Sequence, residues 1–126
     1  MPIIVMDYCE GKSLKEYIKT NVINNEFIFN LLHTISEALT YTHEIGIIHR
    51  DIKPSNIMLT RDALGEESVR VLDFGVAKML ESVDDPNGNT PDTLTGVMLG
   101  TPNYMAPEQI HGEGIRPATD LYAVGI

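Results

Sequence analysis

The sequence predicts an α+β domain in which helices dominate and the strands are few and short. Two observations carry this. From Glu26 to about Ile45 the apolar positions recur at three- and four-residue steps, and two short apolar runs, 57–59 and 69–72, flank a polar turn.

Taken in order, Ile3-Ile4-Val5-Met6 is an apolar run that fits a buried strand, and the chain from Asp7 to Lys12 then turns polar, with Gly11 as its turn residue. Ser13 with Glu16 three positions on matches a capping box, so a short helix is expected through Ile18 or Lys19. Asn24 and Asn25 open the next element. Its apolar face is Phe27, Ile28, Leu31, Leu32, Ile35, Ala38, Leu39, Thr42 and Ile45, and Gly46 is placed to end it. Ile57-Met58-Leu59 and Val69-Arg70-Val71-Leu72, joined by a turn from Thr60 to Ser68, read as an antiparallel hairpin. Leu80 to Gly96 is rich in Asp, Asn, Thr, Pro and Gly and is expected to be a surface loop of the functional kind. Pro107 begins a short helical turn, and Pro117 takes the first position of a last helix. There are no internal repeats.

Composition narrows the function classes. With 126 residues, 43% apolar and 21% charged, the chain can bury one core and reads as a single domain. Its 18 acidic and 9 basic residues give a formal charge of -9 with no basic stripe, which argues against a nucleic-acid partner held through phosphates. The one cysteine, Cys9, cannot form an internal disulfide, and no apolar stretch reaches the length of a membrane span. No signal peptide is read at the N-terminus, where Asp7 and Glu10 interrupt the apolar run, so a reducing cytoplasmic setting is the default.

The chemistry-bearing segments are His49-Arg50-Asp51-Ile52-Lys53-Pro54-Ser55-Asn56, then Asp73-Phe74-Gly75, then Ala106-Pro107-Glu108. Each alone is bland: Asp-Phe-Gly is a common turn and His-Arg-Asp an ordinary surface loop. Together, in order and spacing, they resemble the signature set of the protein kinases, a pattern already known for that family. Phosphoryl transfer asks a protein for positioning and charge neutralisation, which this set supplies. The resemblance implies a protein-kinase-like fold, mainly the helical large lobe, with a hinge strand and a small antiparallel hairpin. Residues 1–126 are then a partial kinase domain, running from the hinge to the start of the central large-lobe helix.

By that resemblance Asp51 orients the acceptor hydroxyl and takes its proton, and Lys53 neutralises charge on the moving phosphoryl. Asn56 and Asp73 hold Mg2+, or Mn2+ in its place, against the phosphates of ATP. Met6 falls at the gatekeeper position, the backbone of Asp7 and Cys9 faces adenine, and Met58 packs beneath it. Ser13 matches the position facing the ribose, although capping explains it equally well. Lys53 belongs to the Ser/Thr form of the loop, and Thr101, in Gly100-Thr101-Pro102-Asn103-Tyr104-Met105, resembles the threonine that bridges Asp51 and Lys53. The implied substrate is therefore a protein with Ser or Thr hydroxyls. Arg50 and Lys78 resemble the basic pocket for a phosphorylated activation-loop threonine, with Thr93 and Thr95 as the acceptors, similar to bacterial eukaryotic-like kinases. A kinase–kinase dimer would serve that autophosphorylation. His49, Phe74 and Asp120 resemble one stacked structural column, Asp120 anchoring the catalytic-loop backbone. Glu108 pairs in the family with an arginine not found in this chain, a costly state if buried.

No glycine-rich loop, phosphate-gripping lysine or partner glutamate is read before the hinge, so the small lobe and the C-terminal helices are expected to be absent. The 126-residue chain alone is then expected to transfer phosphate poorly. Two alternatives stand beside the kinase reading: a pseudokinase or truncated kinase-like module that presents a binding surface, and a small-molecule phosphotransferase, which Thr101 and Ala106-Pro107-Glu108 disfavour. The domain reads as cytoplasmic, or as the cytoplasmic part of a membrane-anchored kinase.

Overall fold

Ser13 sets the first helix. In a computed structural model, which describes residues 7–61, 63–74 and 102–126, Ser13 is extended and its hydroxyl accepts from the Glu16 amide, at 3.3 Å. The Glu16 carboxylate in return takes the Ser13 amide at 3.1 Å and the Ser13 hydroxyl at 2.8 Å. Those bonds hold the Glu16 carboxyl below the usual carboxylate range. Helix α1 then runs over Leu14–Thr20. The expected strand at 3–6 and the expected loop at 80–96 lie outside the described residues.

The first strand departs from expectation. Lys12–Ser13 forms β1 at the edge of a sheet, paired antiparallel with Leu59 and Met58, where the sequence reads as a polar turn. Gly11 makes that approach feasible. Its φ is +154°, and a Cβ there would sit 2.3 Å from the Leu59 carbonyl oxygen, too close for any other residue.

Helix α2, Asn25–Glu44, is capped by the Asn24 side chain on the Phe27 amide at 2.8 Å. It ends at Gly46, whose φ of +80° lets the Ile47 amide turn back to the Thr42 carbonyl at 2.8 Å. Only part of the expected apolar face is covered. Ile35 and Leu39 are buried and Phe27 and Leu31 pack against the core, but Ile28, Leu32 and Ile45 are exposed. The stripe is wider than the surface that the sheet and last helix cover among the described residues.

Strands β2, Ile57–Arg61, and β3, Glu67–Val71, form the expected hairpin, each reaching two residues or so further into the turn than the apolar runs suggest. The three strands lie in the order β1-β2-β3. Ring stacking of Tyr17 on Phe27, with centroids 5.0 Å apart, ties α1 to α2. Helices α3, Pro107–His111, and α4, Pro117–Val124, each start with Pro in the first turn, as expected. Leu14, Ile35, Leu39, Ile52, Ile57 and Ala123 form one core, drawn from α1, α2, the loop after α2, β2 and α4. Among the described residues no helix is long and apolar enough to cross a membrane.

Because Leu39 is 1% exposed at the centre of that core, Leu39→Ala is expected to lower unfolding stability by about 2–5 kcal/mol. The exposed cap variant Ser13→Ala should cost about 1 kcal/mol. Urea midpoints of the two variants check the order, and a Ser13→Ala loss as large as that of Leu39→Ala contradicts this packing.

Candidate active site

The loop between α2 and β2 carries the candidate residues, and a single buried carboxylate fixes its start. Asp120, in the first turn of α4, is 1% exposed. Its Oδ2 accepts from the His49 amide and its Oδ1 from the Arg50 amide, both at 2.8 Å. Oδ2 also meets Nε2 of His43, in the last turn of α2, at 2.8 Å. A carboxylate only accepts, so that histidine nitrogen carries the hydrogen. Three donors from two elements thus satisfy one buried charge, as burial demands.

The His49 ring is fixed as well. Its Nε2 bonds the Leu72 carbonyl at 2.8 Å, while Nδ1 accepts the Asp51 amide at 3.2 Å. One nitrogen donates and the other accepts, which specifies the neutral Nε2–H tautomer. The ring packs against Phe74 with centroids 4.6 Å apart, joining the loop to the chain beyond β3. His49, Phe74 and Asp120 therefore come together as one column, the first and last directly bonded.

Arg50 and Asp73 are the non-glycine residues with positive φ among the described residues, at +69° and +58°. A side chain in that region costs about 1–3 kcal/mol and persists only where its surroundings hold it. For Arg50 the holders are visible: its amide is bonded by Asp120, and its carbonyl accepts from Gln109 Nε2, at 2.9 Å.

Beyond Arg50 the side chains converge. Asp51 Oδ2 lies 2.8 Å from Lys53 Nζ and 3.0 Å from Asn56 Nδ2, which also bonds the Asp51 carbonyl at 2.9 Å. An ion pair as accessible as this, with side chains 20% and 32% exposed, adds about 0–1 kcal/mol to stability, so its consequence is positional. Asn56 directs its amide hydrogens at Asp51, which leaves its Oδ1 as an acceptor or ligand oxygen. Asn56 is itself buried, in the 3-10 turn Pro54–Asn56, and its carbonyl takes the Leu72 amide at 2.8 Å. That bond brings Asn56 beside the chain leading to Asp73, whose side chain is exposed.

The remaining candidates spread along the sheet. Ser13 and Met58 are cross-strand neighbours in β1 and β2, and the Ser13 side chain is engaged in capping. Asp7 is exposed and Cys9 half-buried. Met6, Lys78, Thr93, Thr95 and Thr101 lie outside the described residues. Glu108 does not stand alone. The Thr119 hydroxyl, 1% exposed, donates to Glu108 Oε1 at 2.7 Å and holds that carboxyl below its usual range. The partner expected by family resemblance is an arginine; here a hydroxyl from α4 supplies a bond. That contribution is in place at neutral pH and is lost as pH falls through the lowered pKa. A cavity of about 850 Å3 lined by Tyr17, Phe27, Leu31, Leu59 and Val69 lies apart from Asp51, Lys53, Asn56 and Asp73, none of which borders it.

Sequence reading missed His43, Gln109 and Thr119. His43 sits in the last turn of a helix, where a histidine is usual for the helix dipole alone. Gln109 and Thr119 stand three places into α3 and α4 and bond back to the amides of Ala106 and Arg116, so each looks like a local cap.

Replacing Asp120 leaves buried donors without an acceptor. Asp120→Ala is expected to cost about 3 kcal/mol or more, and Asp120→Asn, which keeps one acceptor, distinctly less. Chemical denaturation measures both; an Asp120→Ala loss under about 1 kcal/mol contradicts the anchoring role.

Comparison with known proteins agrees with this geometry. Residues 2–126 match the family described as "Protein kinase domain". The chain is 38% identical to serine/threonine-protein kinase Pkn1 of Myxococcus xanthus, covering 99% of this chain and 17% of that protein. It is 36% identical to serine/threonine-protein kinase PknB of Mycolicibacterium smegmatis, covering 99% of this chain and 19% of that one, so it spans under a fifth of either relative. The fold is similar to the crystal structure of the Mycobacterium tuberculosis PknI kinase domain, with a TM-score of 0.65 at 22% identity, covering 94% of this chain and 38% of that one. With the buried Asp120 under the His49-Arg50-Asp51 loop and the hairpin leading to Asp73-Phe74, the match over residues 2–126 establishes that the chain belongs to the protein kinase family.

Proposed function

We propose that this segment supplies the phosphoryl-transfer centre of a serine/threonine protein kinase, taking ATP as donor and a protein hydroxyl as acceptor. The observation that carries the reading is the convergence of Asp51, Lys53 and Asn56 around one carboxylate oxygen on a loop anchored from beneath by Asp120. Asp51 Oδ2 is held by two donors and remains partly exposed, so it can orient an incoming hydroxyl and accept its proton. Lys53, within 2.8 Å of the same oxygen, brings a positive charge to where the phosphoryl oxygens gather.

The Asp73 carboxylate and the Asn56 amide oxygen are hard oxygen donors of the type that suits Mg2+. They would hold that cation, which when bound neutralises charge on the ATP phosphates. Asp7, Cys9, Ser13 and Met58, with Met6, line the adenosine side in this reading. Lys53 and Thr101 favour Ser and Thr over Tyr as acceptors. Arg50 with Lys78 would receive a phosphate on Thr93 or Thr95, giving the site a switch. Transfer of that phosphate between two copies of the kinase is part of the same proposal, and the cytoplasm, where ATP is available, is the proposed setting.

The test is a radiolabelled ATP assay on the full-length chain with Mg2+ and a general protein substrate. Asp51→Asn is expected to lower kcat by about 10²–10⁴-fold while ATP affinity stays within about twofold, since the carboxylate acts on the acceptor hydroxyl. Phosphoamino-acid analysis should return phosphoserine and phosphothreonine. Wild-type activity carried through unchanged into Asp51→Asn overturns the role of Asp51. A full-length chain without transferase activity that captures a protein partner instead supports the binding-module alternative.

A further inference from the structure

We infer that Gln109 is a positioning residue for Asp51: its side-chain amide locks the peptide joining Arg50 to Asp51 and couples that peptide to helix α3. The inference rests on the kinase reading for its consequence in catalysis, but its geometry stands independently. Gln109 lies in α3, half-buried, 59 residues away in sequence from Arg50. Its Nε2 donates to the Arg50 carbonyl at 2.9 Å, and its Oε1 accepts the Ala106 amide at 3.0 Å. A backbone amide only donates and a carbonyl only accepts, so the two partners together fix which way the Gln109 amide faces.

The consequence follows from peptide planarity. The Arg50 carbonyl and the Asp51 amide belong to one rigid plane. Gln109 holds that plane at its oxygen, and His49 Nδ1 holds it at its N–H. The preceding plane is held at the Arg50 N–H by Asp120. The left-handed Arg50 backbone, at φ +69°, is the joint between these two planes, so fixing both planes fixes the joint and the direction in which Asp51 leaves it. Asp120 alone controls one plane. Gln109 supplies the control of the other from outside the loop.

The side chain's chemistry is specific. Methionine matches its length but carries neither polar atom. Glutamate keeps the acceptor for the Ala106 amide and, when ionised, sets a negative oxygen against the Arg50 carbonyl. Helix α3 is also tied to α4 through Glu108 and Thr119, the residue before Asp120, so the two elements that hold the peptides on either side of Arg50 are joined to each other.

The experiment compares wild type, Gln109→Glu and Gln109→Met in the full-length chain at pH 8, by steady-state kinetics and by amide hydrogen exchange. For Gln109→Glu we expect kcat to fall about 10-fold or more, with KM for ATP within about twofold, because the misplaced group acts only on the acceptor side. Exchange at the Asp51 amide should quicken about 10-fold, while the Arg50 amide, held by Asp120, and the Ala106 amide keep their wild-type rates. Gln109→Met should quicken the Asp51 and Ala106 amides, and it provides the reading should Gln109→Glu fail to fold. Wild-type kcat together with wild-type exchange at Asp51 overturns the inference. A wild-type chain without transferase activity counts against the kinase reading alone, because the exchange rates still decide whether Gln109 positions the loop.

Discussion

Everything that the candidate site does depends on one buried carboxylate. Asp120 brings a negative charge into the interior, where an unpartnered charge is prohibitive, and the chain meets that demand with the His49 and Arg50 amides and the His43 ring. The requirement acts in both directions. The charge needs the loop, and the loop, a stretch without regular structure, needs an acceptor for amides that no helix or strand satisfies. Residues some seventy positions apart are joined as a result, and α2, α4 and the loop between α2 and β2 become one unit.

That unit carries backbone strain close to its reactive side chains. The strain is concentrated at Arg50 and Asp73, where non-glycine residues take left-handed backbone beside the groups that matter. Sharp turns of this kind let a short loop present Asp51, Lys53 and Asn56 to one point. The hydrogen bond from Leu72 to Asn56 then carries the same order to the chain before Asp73. Stability and function are separable here: the Asp51–Lys53 pair contributes little to the former, while the core around Leu39 and the Asp120 anchor contribute most of what holds the site in place.

How much of this the sequence revealed depends on the range of the interaction. The Ser13–Glu16 box and the Asn24 cap are complete within four residues, and both are legible as written. The hairpin is legible in its apolar centre, but its ends are set by pairs such as Arg61 with Glu67, which have no local pattern. Strand β1 is invisible to propensity because Lys12 and Ser13 become a strand only through Leu59 and Met58. The apolar face of α2 is legible as a face, yet which part of it is covered depends on elements far along the chain. In the site, Asp51, Lys53, Asn56 and Asp73 were found by resemblance to a family pattern. His43, Gln109 and Thr119 were not, since each owes its part to a partner on another element.

The central claim is that Asp120 holds the start of the loop as firmly as the core. Amide hydrogen exchange at His49 and Arg50 in the native full-length chain tests it most directly. Neither amide belongs to the backbone ladder of a helix or strand, so if both exchange only through global unfolding, at the slow rate of the Leu39 amide in α2, the carboxylate is the anchor described here. Exchange at the rate of the exposed turn between β2 and β3 would contradict it.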